Sequence, residues 1–242
     1  MTEHRREHHA VGAASGLAAS AGGYALKIAW IPSEDDLKGR LDFWILDRDG
    51  RAVGNFDEQH ERRMHLIVVR HDLSHYQHLH PSMSANGTWS IPLILPEPGV
   101  YRVFADFAIE GESLTLGADL DTPGDYEPSQ LPDPAGVVRV DGYEVVLDAG
   151  TVATGAETEL IFRVTREGQE VGDLDPYLGA LGHLVALREG DLAYLHVHPM
   201  DGAGSRIAFH AAFPSAGRYR LFLQFAHEGR VHTAALTLEV PS

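Results

Sequence analysis

The chain of 242 residues contains no cysteine. That absence excludes disulfides, thiolate catalysis, zinc ribbons and blue-copper centres with a cysteine ligand. Methionine is scarce, with four residues, so thioether ligands can only be few. Positive charge is short as well: 19 Lys and Arg stand against 35 Asp and Glu, a formal net charge of −16. Such a chain lacks the cationic face that nucleic acid requires, and it does not suit an anionic membrane surface. No apolar run reaches the length of a membrane helix, so no membrane insertion by this chain is expected. Residues 10–26 (AVGAASGLAASAGGYAL) follow a charged start, MTEHRREHH. Their Gly, Ala and Ser content is too high for the apolar stretch of a signal peptide, so residues 1–20 are read as a flexible tail.

What is abundant is histidine, 15 residues, and its placement repeats. His65, His78 and His80 lie in MHLIVVRHDLSHYQHLHP, and His183, His196 and His198 lie in GHLVALREGDLAYLHVHP. Each pair is 118 positions apart, and the same offset carries Arg70 onto Arg188, Tyr76 onto Tyr194, Gly99 onto Gly217 and Tyr101 onto Tyr219. Residues 65–120 and 183–238 share 19 identities in 56 positions without a gap. This is an internal duplication, and the imidazoles belong to what both copies share. The length suits two domains: 21–126 and 137–242, joined by a Pro-rich linker at 127–136.

Gly (25) and Pro (13) punctuate short Val-, Leu- and aromatic-rich runs every 8–14 residues, and no helical period persists for three turns. The expected fold is all-β, two tandem immunoglobulin-like β-sandwich domains arising from the duplication. In both copies a Tyr follows a Gly by two residues at the start of an apolar strand: Tyr101 after Gly99, and Tyr219 after Gly217. This pattern is that of a tyrosine corner, a hydroxyl bonded back to the preceding loop.

Strands at 65–70 and 75–80 are separated by a short loop, so a hairpin is expected. Pairing Arg70 with His75 puts Ile67 opposite His78 and His65 opposite His80. The period of two then sets His65, His78 and His80 on one face, close enough to share one ion. The same arithmetic sets His183 opposite His198, with His196 beside them. Pro81 and Pro199 end the strand, which places each cluster at the rim of a sandwich. The expected metal ligands are thus His65, His78, His80, His183, His196 and His198, and imidazole suits copper or zinc. His60 or Asp106 could add a fourth ligand in the first copy, and His227 or His232 in the second. Met64, Met83 and Met200 are near enough in sequence for a thioether contact, although core filling is the ordinary role of methionine. With Met1 removed, Thr2-Glu3-His4 would form a square-planar Cu(II) or Ni(II) site, set against the plain alternative of a solvated tail.

The strings MHLIVVRHDLSHYQHLHP, GTWSIPL, PGVYRVFADF and GRYRLFLQFAHEGRVHTA resemble a family of bacterial, mostly actinobacterial, secreted or membrane-tethered proteins of uncharacterised function, associated with heavy-metal or copper handling. The resemblance spans most of residues 20–240. It implies a β-sandwich fold, an extracytoplasmic location, a metal ion as ligand and a metal-transport or resistance protein as partner; it supplies no catalytic residues. The leading expectation is a non-catalytic metal-binding protein acting in resistance, storage or delivery. A structural module with buried histidine clusters is the alternative. An enzyme is disfavoured because Asp106, the only shared-neighbourhood base, is replaced by Gln224 in the second copy. Neutral imidazole is the ligand form, which sets an expected loss of metal as pH falls through about 6.

Overall fold

The computed structural model describes residues 15–33, 36–195, 197–200 and 205–242, with His198 described by its backbone alone. Most of the expected tail, the Thr2-Glu3-His4 motif and His196 lie outside the described residues. No helix occurs among the described residues, and in particular none long and apolar enough to cross a membrane.

The chain folds as two tandem β-sandwiches. The first comprises β1 (Ser20–Ala21), β2 (Tyr24–Pro32), β3 (Lys38–Leu46), β4 (His65–Arg70), β5 (Gln77–Leu79), β6 (Ser82–Met83), β7 (Trp89–Ile94), β8 (Gly99–Ile109) and β9 (Glu112–Thr122). Its outer sheet has the order β1-β2-β3-β7-β6 and its inner sheet β5-β4-β8-β9. The second comprises β10 (Val137–Val140), β11 (Tyr143–Asp148), β12 (Glu157–Arg166), β13 (Gln169–Glu170), β14 (Gly182–Arg188), β15 (Tyr194–Leu195), β16 (His198–Pro199), β17 (Arg206–Ala212), β18 (Gly217–His227) and β19 (Arg230–Val240). It repeats the arrangement, with β10-β11-β12-β17-β16 outside and β15-β14-β18-β19 inside.

Each repeat closes on a tyrosine corner. The Tyr101 hydroxyl donates to the Glu97 carbonyl at 2.7 Å, and that of Tyr219 to Ser215 at 3.0 Å. Both rings are fully buried, so the bond satisfies a hydroxyl that would otherwise cost free energy in the core.

The inner strands are buried on both faces, and the period of two divides their side chains between two cores. In β4, Leu66 and Val68 belong to the first sandwich, whereas Ile67 and Val69 join a separate cluster between the repeats. In β14, Leu184 and Ala186 fill the second sandwich, whereas Val185 and Leu187 enter that same seam. Phe104 and Phe222 complete it from β8 and β18. The duplication makes the contacts reciprocal. Tyr76 of the first repeat stacks on Phe222 of the second at 4.0 Å between ring centroids, and Tyr194 lies against Phe104 at 5.6 Å. Residues 104 and 222, like 76 and 194, are duplication partners, so the two inner sheets meet as a pseudo-dimer.

Candidate metal centre

The first hairpin takes the expected register. Ile67 pairs with His78 and Leu66 with Leu79, so extending the ladder one step sets His65 against His80. One nitrogen from each of His65, His78 and His80 lies within 4.8 Å of the other two. His65 opens β4 and His80 follows β5, so the cluster stands at the strand ends, on the seam face of β4 that continues through Ile67 and Val69, and His65 is only 3 % exposed.

The second hairpin starts in the expected register too, with Ala186 paired to Leu195 and Leu187 to Tyr194. It then departs from expectation. His198 leaves β14 and pairs with His210 of the outer sheet, so it does not stand opposite His183. The reason lies in one residue. Met200 N–H bonds the Ala208 carbonyl, and antiparallel pairs alternate bonded and non-bonded, so His198–His210 is a bonded pair as well. The position matching His210 in the first repeat is Pro92, which has no N–H to extend β6 back towards His80. The first repeat therefore keeps its His-x-His pair beside β4, and the second sends His198 across to the outer sheet.

His183 joins the first repeat's cluster instead. Its ring stacks on His78 at 4.5 Å and on His65 at 5.6 Å, with His60 6.1 Å away. His60 is also 6.1 Å from His65. The other residues considered as ligands lie elsewhere. Met64 belongs to the first sandwich core and Met83 packs against it, and both also line a surface cleft. Asp106 pairs across from His65, and its carboxylate accepts from Thr115 Oγ1 at 2.8 Å and the Tyr194 hydroxyl at 3.5 Å. His227 and His232 gather around Tyr143 on the sandwich side of the β18–β19 hairpin; His227 meets Tyr143 and Asp173, and His232 meets Asp141.

The hydrogen bonds of the triad identify the protons. His65 Nε2 faces the Gln59 carbonyl at 3.0 Å, an acceptor, so that nitrogen carries hydrogen. His78 Nδ1 faces Gln224 Oε1 at 2.6 Å, while the Gln224 amide nitrogen reaches Thr233 Oγ1 at 3.3 Å. With the amide in that orientation His78 carries its hydrogen on Nδ1. The remaining nitrogens, His65 Nδ1 and His78 Nε2, face each other at 2.9 Å. With the Gln224 oxygen towards His78, three contacts need three protons and two neutral imidazoles supply two; with the amide turned over, its own N–H is the third donor. A third proton on the rings is disfavoured. Burial, and then the proximity of His65, pushes His78 down to about 3. Burial, then His65 and Arg62, pushes His80 down to about 4. His80 Nε2 is buried with no hydrogen-bond partner.

His65 Nδ1, His78 Nε2 and a nitrogen of His80 would hold a cation, which would take the facing lone pairs and leave the outer nitrogens of His65 and His78 towards Gln59 and Gln224. A cleft of about 280 Å³ lies between the segment Glu58–Met64 and Pro81–Met83, lined also by Trp89.

Sequence reasoning missed the share of the second repeat in this site. Gln224 entered it only as the residue standing where Asp106 stands. The available signal was the unbroken apolar runs Leu66–Val69 and Leu184–Leu187, which mark strands buried on both faces.

Among solved structures, the chain is similar to the Escherichia coli adhesin FdeC at 12 % identity, covering 92 % of this chain and 65 % of that one, with a TM-score of 0.27. It is similar to the Yersinia pseudotuberculosis adhesin InvE at 11 % identity, covering 90 % and 61 %, with a TM-score of 0.28. The S-layer protein SbsC, domains 4 and 5, matches at 9 % identity, covering 91 % and 100 %, with a TM-score of 0.26. The chain thus spans less than two thirds of the two adhesin chains, and superpositions this loose carry no functional argument. No curated protein matches. The model of the family described as Domain of unknown function (DUF8832) matches twice, over residues 19–124 and 138–242. The chain therefore belongs to that family and carries two copies of its domain in tandem.

Proposed function

We propose that the protein binds a transition-metal ion, non-catalytically, through His65, His78 and His80. The observation that carries this reading is the convergence of three imidazoles, one nitrogen of each within 4.8 Å of the other two, with His65 Nδ1 and His78 Nε2 facing each other at 2.9 Å. A purely hydrogen-bonded histidine cluster, as a structural module would have, would turn the Gln224 amide over, so that its N–H donates to His78 Nδ1 and His78 Nε2–H to His65 Nδ1. An all-nitrogen triad suits copper or zinc. The resemblance to secreted proteins associated with copper handling favours copper, an extracytoplasmic setting and a transport or resistance protein as partner. Asp106 is held by Thr115 and Tyr194, which argues against a free general base and so against hydrolysis.

The test is calorimetric titration of the full chain with Zn(II) and Cu(II) at pH 7. Binding of one ion per chain is expected, with a raised melting temperature. His80→Ala is expected to weaken it by about 100-fold or more, since losing a direct ligand exceeds the 10–100-fold typical of a supporting partner. Absence of heat and of any thermal shift with both metals would sink the reading.

A further inference from the structure

We infer that the second repeat is the positioning half of this metal site, and that Gln224 is its key residue. The inference rests on the metal-binding reading and goes beyond it, because all three ligands come from the first repeat and the group that orients one of them comes from the other.

Gln224 sits on β18 and is 6 % exposed. Its Oε1 lies 2.6 Å from His78 Nδ1, placed to accept that nitrogen's hydrogen, and its amide nitrogen is turned to Thr233 at 3.3 Å. An imidazole holds one proton when neutral, so an acceptor at Nδ1 forces the lone pair onto Nε2, the atom that faces His65. Ligating histidines generally rely on such an acceptor to hold tautomer and ring orientation. His183, also from the second repeat, stacks on His78 at 4.5 Å with the planes 27° apart, which restrains the ring from its other side. His78 is thus gripped by two residues of the second repeat through contacts that exist only while the seam is closed. Metal affinity and seam closure are then linked, and the coupling acts equally in both directions. The position equivalent to Gln224 in the first repeat is Asp106, a buried carboxylate, so this place in the fold accommodates an acid as well as an amide.

The experiment compares wild type, Gln224→Leu and Gln224→Glu as full-length proteins, titrated with Zn(II) against a chromogenic chelator. Backbone exchange of β18 is followed with and without metal. Gln224→Leu removes the acceptor and is expected to lose 10–100-fold in affinity. Gln224→Glu keeps an acceptor on the same N–H and is expected to restore at least wild-type affinity, which a merely space-filling role would not produce. Nitrogen-15 shifts should show the His78 proton on Nδ1 in wild type and Gln224→Glu, and redistributed in Gln224→Leu. Metal should slow exchange of β18 in wild type. If wild type binds Zn(II) and Gln224→Leu binds it equally well, the positioning role is overturned while the metal site stands. If wild type itself fails to bind, the metal reading falls and this inference with it.

Discussion

At the scale of single residues, charge is managed by enclosure. Arg70, 1 % exposed, is matched by Asp72 at 2.8 Å and Glu97 at 2.6 Å. Burial pushes the Asp72 carboxyl up, but hydrogen bonds from Arg70, from Ser74 and from the Ser129 N–H outweigh it and hold the group at about 2. The sign of the consequence follows from the ordinary value of 3.8. Above about pH 4 both folded and unfolded chains carry the charge. As pH falls from there to about 2, the unfolded chain takes a proton that the folded one refuses, and roughly 2 kcal/mol of stability is lost. In the metal-free protein His78 and His80 add a slope of the same sign. Their folded values near 3 and 4 lie below 6.5, so the unfolded chain binds their protons first as acidity rises. Urea unfolding from pH 7 to 2 should show this decline in two stages, with Asp72→Asn removing the lower one. A stability independent of pH below 6 would contradict both assignments. Asp72→Asn should also cost about 3 kcal/mol at pH 7, because it strips a partner from a buried guanidinium.

At the scale of elements, the hairpins and corners were legible and the strand switch was not. The register of both His hairpins follows from alternation and loop length, and the structure reproduces it at Ile67–His78 and Ala186–Leu195. The Gly-x-Tyr pattern announced two tyrosine corners, and both formed. Tyr101→Phe and Tyr219→Phe should each cost about 1–2 kcal/mol in denaturant unfolding, the penalty for a buried carbonyl left without its donor. A neutral outcome for both would deny the corners a stabilising role. The departure of His198 depends on whether an N–H exists at the facing strand position, Pro92 in one repeat and His210 in the other. No property of the histidine motif itself encodes that.

At the scale of the whole molecule, the seam packs the two repeats against each other. Phe222 stacks on Tyr76 at the centre of the seam cluster, on the strand that bears Gln224. Phe222→Ala should cost about 3–5 kcal/mol. It should also weaken Zn(II) binding without touching any ligand. Calorimetric unfolding should then separate into two transitions, one per repeat. A single undivided transition with unchanged metal affinity would show that the seam does not couple the halves.

The sequence by itself determined the duplication, the all-β class, the local register and the convergence of His65, His78 and His80. All of these rest on periodicity and short-range chain geometry, which adjacent residues specify. Only the tertiary structure decided that His183 and Gln224 complete the first repeat's cluster. That outcome depends on which face of each inner sheet is covered, and by what. A side chain at a seam is placed by a residue more than a hundred positions away, and alternation along one strand names the face without naming its partner.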